Sequence, residues 1–209
     1  AQVGREVFRA YLPWAETARV GKAGPELRRL PNTDLFECRV EPDNRIPRHY
    51  AIHWVDKEGK AGSHVDPYTF EPHIPAFARC LFGEAKHRHI YRILGAQLYT
   101  VDGVEGVLFA TWAPNAERVS VVGDFNHWDG RAHPMRTRGG SGVWELFIPG
   151  LDAGCLYKFE IRNRAHGTVL LKSDPYGQRF ELRPGTASIV TGKDDFAWHD
   201  KNWLETRAS

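Results

Sequence analysis

The residues best suited to chemistry lie in one run, Gly123-Asp124-Phe125-Asn126-His127-Trp128-Asp129-Gly130. It follows an apolar stretch, Val119-Ser120-Val121-Val122, that reads as a strand breaking at Gly123. Asn126, Asp129 and Gly130 are turn formers, so Trp128 rides on a polar loop, where a large ring is harder to bury than inside a strand. A displayed indole offers a flat apolar face and one N–H donor, which suits binding rather than bond cleavage. Other groups offer less. Asp124 and the Asp194-Asp195 pair have no partner that suggests acid–base work. His87 and His89 lack a third ligand at a metal-like spacing. Arg138-Gly139-Gly140-Ser141-Gly142 reads as a hairpin loop and not a phosphate cradle, because no strand-to-helix context surrounds it. No catalytic residue, metal site or cofactor is assigned.

The elements that must position this loop are β in character. Tyr157, Phe159 and Ile161 alternate with Lys158, Glu160 and Arg162, the period of a half-buried strand. Trp144, Leu146 and Ile148 share another strand face, with Glu145 among the opposite residues. An earlier part of the chain repeats these features. Phe8-Arg9-Ala10-Tyr11-Leu12-Pro13-Trp14-Ala15-Glu16 answers Phe109-Ala110-Thr111-Trp112-Ala113-Pro114-Asn115-Ala116-Glu117. Leu35-Phe36-Glu37 answers Val143-Trp144-Glu145, Tyr50-Ala51-Ile52 answers Tyr157-Lys158-Phe159, and Asp66-Pro67-Tyr68 answers Asp174-Pro175-Tyr176. Four landmarks in one order, offset by roughly a hundred residues, mean two complete domains, since solenoid and propeller units are shorter. Phe36, Cys38 and Val40, then Tyr50, Ile52 and Trp54, supply inward faces in the first copy. Trp54, Trp112 and Trp144 sit in apolar strand patterns and are expected in cores.

These patterns predict an all-β fold of two tandem immunoglobulin-like β-sandwiches joined by a short helical connector. The expected divisions are a first sandwich over 1–73, a connector over 74–97, a second sandwich over 98–192 and a linker over 193–209. In the connector, Leu81 and Phe82, then Ile90, Tyr91 and Leu94, fit one or two short helices packed between the sandwiches. In the linker, Trp198 and Trp203 read as anchors. The chain opens without methionine and ends without a packing element, as a piece of a longer protein would.

A net charge of +2 over 209 residues is too mild to argue for nucleic acid or an anionic membrane. No apolar run approaches the length of a membrane span. Cys38, Cys80 and Cys155 form neither a disulfide framework nor a zinc spacing, so a reducing, cytoplasmic setting is expected.

Leu94-Gly95-Ala96, Phe109 through Gly130, His133-Pro134-Met135, Gly142 through Gly150, Lys172 through Tyr176 and Arg183 through Ser188 together resemble the N-terminal half of bacterial glycogen branching enzymes. The second copy resembles a carbohydrate-binding module of family 48, and the first resembles the extra N-terminal module of the longer enzymes. The resemblance implies a parent that cleaves an α-1,4-glucan and transfers the chain to a 6-hydroxyl, making an α-1,6 branch on an α-amylase-type barrel. That barrel has no counterpart in this sequence, and the His199-Asp200 pair echoes its motif only superficially. The region is therefore expected to be non-catalytic, with glycogen or α-1,4-glucan chains and the parent's barrel as its partners. In modules of this family a loop tryptophan, a strand lysine and a Gly-Thr turn form the sugar site. Here they match Trp128, Lys158 and Gly185-Thr186. With Asn126 of the same loop, the candidate carbohydrate-binding residues are Trp128, Asn126, Lys158 and Thr186. The second aromatic platform usual before Asp-Pro is replaced by Leu170-Leu171, and the first module has Gly21-Lys22-Ala23-Gly24-Pro25 where the loop would be. Related debranching enzymes or trehalohydrolases, and a stand-alone glycogen-targeting module, are the alternatives.

Overall fold

The computed structural model describes residues 6–40, 46–84, 86–192, 199–200, 203 and 206–207. Six strands form the first module: β1 (Glu6–Tyr11), β2 (Ala15–Val20), β3 (Glu26–Arg29), β4 (Leu35–Val40), β5 (Ala51–Asp56) and β6 (Ala61–Val65). Their order is β1-β4-β3-β2-β5-β6, every pair antiparallel. β3 pairs first with β2, through Leu27 and Ala18, then with β4, through Arg29 and Phe36. One short strand thus passes from one layer to the other, as at the corner of a sandwich. Between the layers lie Leu12, Val20, Leu27, Phe36, Val40 and Ile52, all buried, with Tyr50 and Trp54 packed against them. The inward faces expected from alternation are those observed.

The second module follows helix α1 (Ala76–Gly83) and a single 3-10 turn at Ile90–Arg92. Its first sheet has the order β10-β11-β8-β7, from β7 (Gly95–Val101), β8 (Val104–Trp112), β10 (Arg136–Thr137) and β11 (Val143–Pro149). The second sheet contains β9 (Ala116–Gly123), β12 (Leu156–Asn163), β13 (Val169–Lys172), β14 (Arg179–Phe180) and β15 (Ser188–Ile189), with β12 central between β9 on one side and β13 and β15 on the other. Phe109, Val121, Leu146, Tyr157 and Phe159 fill the space between the sheets. The two copies share one pairing scheme: β1 with β4 and β2 with β5 in the first, β8 with β11 and β9 with β12 in the second.

Two expectations need correction. Residues 143–148 of β11 are buried on both faces, not alternately. The outer face of this sheet is covered by the segment after the first module: Phe70 packs on Leu108 and Phe147, while Ile74 and Ala78 pack with Ala110 and Val143. The connector therefore lies on the second module instead of between the two, because β8 and β11 present the apolar surface it needs. Glu145, on that covered face, is 2% exposed. Its carboxylate accepts the His73 N–H at 2.7 Å and the Ile74 N–H at 3.0 Å, with Arg138 at 3.5 Å. A buried carboxylate with two backbone donors and a guanidinium is satisfied where an unpaired one would be very costly. Trp112 is the second correction. It is 52% exposed at the end of β8, its ring edge-on to Phe82 and its N–H on the Ser141 carbonyl, whereas Trp144 is a core residue at 7%.

The modules are also tied directly. The Tyr68 hydroxyl donates to the Pro134 carbonyl at 2.9 Å, and Arg136 donates to the carbonyls of Phe70, at 2.6 Å, and Tyr68. His49 stacks on Phe70 at 4.0 Å and hydrogen-bonds Asp102 of the second module at 2.8 Å. Most of the linker, including Trp198, falls outside the described residues. Trp203 is 58% exposed and lies under the Arg207 guanidinium, so it anchors nothing among the described residues.

Removing the Glu145 carboxylate strands two buried N–H groups, each costing about 1–3 kcal/mol. Glu145→Ala should lower stability in urea unfolding by roughly 2–6 kcal/mol. Among the described residues its repeat counterpart Glu37 pairs only with two-thirds-exposed Arg9 and Arg39, so Glu37→Ala should lower stability far less than Glu145→Ala. Equal losses would contradict the clamp assigned to Glu145.

Candidate functional site

The Trp128 loop is built by close approach and by one buried amide. At Gly123 a Cβ would lie 2.2 Å from the Leu156 carbonyl and 2.5 Å from the Phe125 ring, so no side chain fits. Asp124–Asn126 form a 3-10 turn. Asn126 is 1% exposed: its carbonyl oxygen accepts the Gly123 N–H at 2.9 Å, and its amide donates to the Val121 carbonyl at 2.9 Å and to His133 Nδ1 at 2.8 Å. Both ends of this side chain are consumed inside the loop, so Asn126 holds the loop in shape and has nothing left for a ligand. His127 and Trp128 then both take left-handed backbone angles, φ 55° and 60°, uncommon for residues with side chains. The turn closes with the Trp128 N–H on the Gly123 carbonyl at 2.9 Å.

The indole of Trp128 is partly buried, and its N–H donates to Asp124 Oδ1 at 2.8 Å. The donor expected to serve a ligand is thus used internally, and only the ring face stays uncommitted. The chain then passes over the outer face of β12, where a Cβ on Gly130 would sit 2.0 Å from Glu160 Oε1. It rejoins β9 through Val121 N–H on the His133 carbonyl and Met135 N–H on that of Val119.

Lys158 stands on that same outer face, directly opposite Val122. Its ammonium donates to the Thr186 hydroxyl at 2.6 Å, and the Thr186 carbonyl accepts from the Ser173 hydroxyl at 2.6 Å. Glu160, one pleat along, is paired with Arg118 at 2.5 Å and sits opposite Leu171, which is 54% exposed. The outer face of the β9-β12-β13 layer therefore gathers the Trp128 loop, Lys158, Thr186 and an exposed leucine. An aromatic residue, hydrogen-bonding groups and an aliphatic patch are the kinds of group that suit a polyhydroxylated ring. Among the described residues no group of three His, Cys, Asp or Glu is disposed to hold a metal.

Three supports of the loop come from groups that the sequence did not single out. Tyr11 of β1 donates to Asp129 at 3.1 Å, and Arg131 pairs with Asp129 at 2.9 Å while lying 5.1 Å over the Tyr11 ring. Arg131 holds the Asp129 carboxyl below the usual carboxylate range. Trp14 meets the His127 ring edge-on at 5.4 Å. The third is His133, whose Nδ1 must be unprotonated to accept from Asn126. Burial, with repulsion from His64 second, lowers its pKa to about 4. Tyr11 and Trp14 lie in the repeated Phe8–Glu16 run; that repetition marks a strand and cannot show that these rings turn toward the other copy.

Residues 93–177 match the family model of carbohydrate-binding module 48, the isoamylase N-terminal domain, and this stretch belongs to that family of modules. Across 97% of its length the chain is similar to the 1,4-alpha-glucan branching enzyme GlgB of Methylococcus capsulatus, at 60% identity over 203 residues, and it covers 27% of that enzyme. The GlgB of Cellvibrio japonicus is 55% identical over 207 residues, covering 97% of this chain and 28% of the enzyme. The chain thus spans little more than a quarter of these relatives.

Because His133 is neutral in the fold and takes up a proton near pH 6.5 once unfolded, its contribution is fully present above about pH 6.5. It is lost as pH falls toward about 4, at up to ~1.4 kcal/mol per unit from this group. Urea unfolding at pH 7.5 and pH 5 should show this loss, and His133→Gln, which keeps a neutral acceptor, should show a smaller one. An identical pH dependence in both proteins would remove His133 from that role.

Proposed function

We propose that this chain is the N-terminal, non-catalytic region of a 1,4-α-glucan branching enzyme, and that its second module holds α-1,4-glucan on the outer face carrying Trp128, Lys158 and Thr186. What supports this reading is that Lys158 and Thr186 pair on the outer face of β12, over which the Trp128 loop passes at Gly130, in a stretch that matches family 48. The relatives' name, 1,4-alpha-glucan branching enzyme, supports an α-1,4-glucan as the polymer and branching as the parent's reaction; glycogen and transfer to a 6-hydroxyl are what the family resemblance implies. Catalysis belongs to a barrel elsewhere in the parent, and this region engages and positions the donor chain. Against the expected divisions of 1–73, 74–97 and 98–192, the strands of the first module end at Val65 and those of the second begin with β7 at Gly95. Free thiols at Cys38, Cys80 and Cys155 fit a reducing cytoplasm.

Affinity follows from the small number of contacts. An aromatic contact adds about 0.5–1.5 kcal/mol beyond burial, whereas a 1 mM dissociation constant already corresponds to about −4.1 kcal/mol. With the indole N–H committed to Asp124 and leucine in place of a second ring, a single site binds weakly. Many chain ends on one glycogen particle raise the effective concentration and make weak sites useful. Wild-type protein should be retarded in a native gel containing glycogen, and Trp128→Ala should reduce the retardation by roughly tenfold in apparent affinity, the upper end of the aromatic contribution. Undiminished retardation in the variant would move the site elsewhere; no retardation of the wild type would remove glucan binding from this region.

A further inference from the structure

The two modules enclose an open cavity of about 970 Å³, at the upper end of the range for small-molecule sites. It is framed by the Tyr11–Asp129 contact and the Tyr68–Pro134 contact, and it lies apart from the Lys158–Thr186 pair, neither of which lines it. One wall carries a row of rings crossing from one module to the other. Trp54 meets Trp14 edge-on at 6.1 Å, and Trp14 meets His127 at 5.4 Å. The Trp14 indole N–H is buried and makes no hydrogen bond among the described residues, so this ring offers a ligand its carbon face and not its donor. Lys60, Ser63 and His64 line another part of the cavity, are exposed, and make no side-chain hydrogen bond among the described residues. Although its edge is open to solvent, the cleft walls partly desolvate the His64 ring and lower its pKa, which favours the neutral form that can donate and accept.

The charge balance narrows the ligand class. Arg9, Lys60 and Arg131 face Asp56, Asp66 and Glu105 around the cavity. An anion or a cation would meet its own sign as often as the opposite one, whereas a neutral polyhydroxylated molecule can use donors and acceptors of both kinds. Amphipathic rings beside unpaired polar groups complete that chemistry.

We propose that the cleft between the modules is a second carbohydrate site, taking a short, neutral, linear oligosaccharide. The choice of an α-1,4-linked glucose oligomer rests on the function proposed above, whereas the cleft and its ligand class do not. Since His127 in its wall precedes Trp128, one loop borders both sites, and a chain held in the cleft runs beside the loop that presents the outer platform.

The test is a titration of the full 209-residue chain with maltoheptaose, following the tryptophan indole resonances. Wild type is compared with Trp128→Ala, Ser63→Trp, which fills the cleft, and Lys60→Ala/His64→Ala, which removes only exposed side chains and serves if the larger residue disturbs folding. Expected are shifts of the Trp14 and Trp54 signals that persist in Trp128→Ala and weaken at least tenfold in both cleft variants. Static Trp14 and Trp54 signals, with a moving Trp128 signal, would overturn the cleft site and leave the outer-face site standing. A moving Trp54 signal with a static Trp128 signal would support the cleft and sink the outer face. Trp14 and Trp54 shifts indifferent to both cleft variants would overturn the cleft site.

Discussion

Each module is closed by the same tyrosine–aspartate hydrogen bond, part-buried in the first and buried in the second. In the second, the Tyr157 hydroxyl donates to Asp174 Oδ2 at 2.6 Å, while Oδ1 takes the Tyr176 N–H at 2.8 Å. In the first, Tyr50 donates to Asp66 at 2.5 Å and Asp66 takes the Tyr68 N–H at 2.8 Å. Burial pushes both tyrosine hydroxyls up and holds them as donors. The bond pins a central strand to the Asp-Pro-Tyr corner that ends the sheet, where proline interrupts the ladder. In the second module it also fixes the site. Tyr157 faces the core opposite Gly123, so Lys158 must face outward beside the start of the Trp128 loop. A slip of one residue would turn Lys158 inward and Tyr157 out.

From this shared frame the copies diverge at one connection. After β2 the first module turns tightly over 21–25 into β3, which links its two layers. After β9 the second module spends the corresponding chain on the loop that holds Trp128. The first module then supports its neighbour: Tyr11 and Trp14 reach across to Asp129 and His127. Two adjacent left-handed residues with side chains are a costly conformation, held where the surroundings over-determine it. Here those surroundings are Asn126, His133 and the first module.

Much of this frame was legible in the sequence, because alternation and repetition are local signals. The landmarks Tyr50 with Asp66 and Tyr157 with Asp174 repeat in order, and they prove to be the paired ends of the closing bonds. The inward faces of β4, β5 and β12 follow directly from period-two spacing. What was not legible depends on which segment covers which face. Glu145 reads as a solvent-side residue until Phe70 and Ile74 lie over its sheet. Trp112 reads as core until β8 is seen to end there. Asn126 and Trp128 were both singled out, but whether a polar group serves the loop or a ligand is decided by its hydrogen bonds. No pattern of residue types contains that information.

The central claim is that the outer face of the family 48 module presents Trp128 to an α-1,4-glucan. The most direct measurement is a crystal structure of the chain soaked with maltoheptaose. Expected is a glucose ring stacked on the Trp128 indole, with hydroxyls within hydrogen-bonding reach of Lys158 and Thr186 and the Trp128–Asp124 bond intact. Sugar bound elsewhere on the protein, with the Trp128 face bare and accessible, would contradict it.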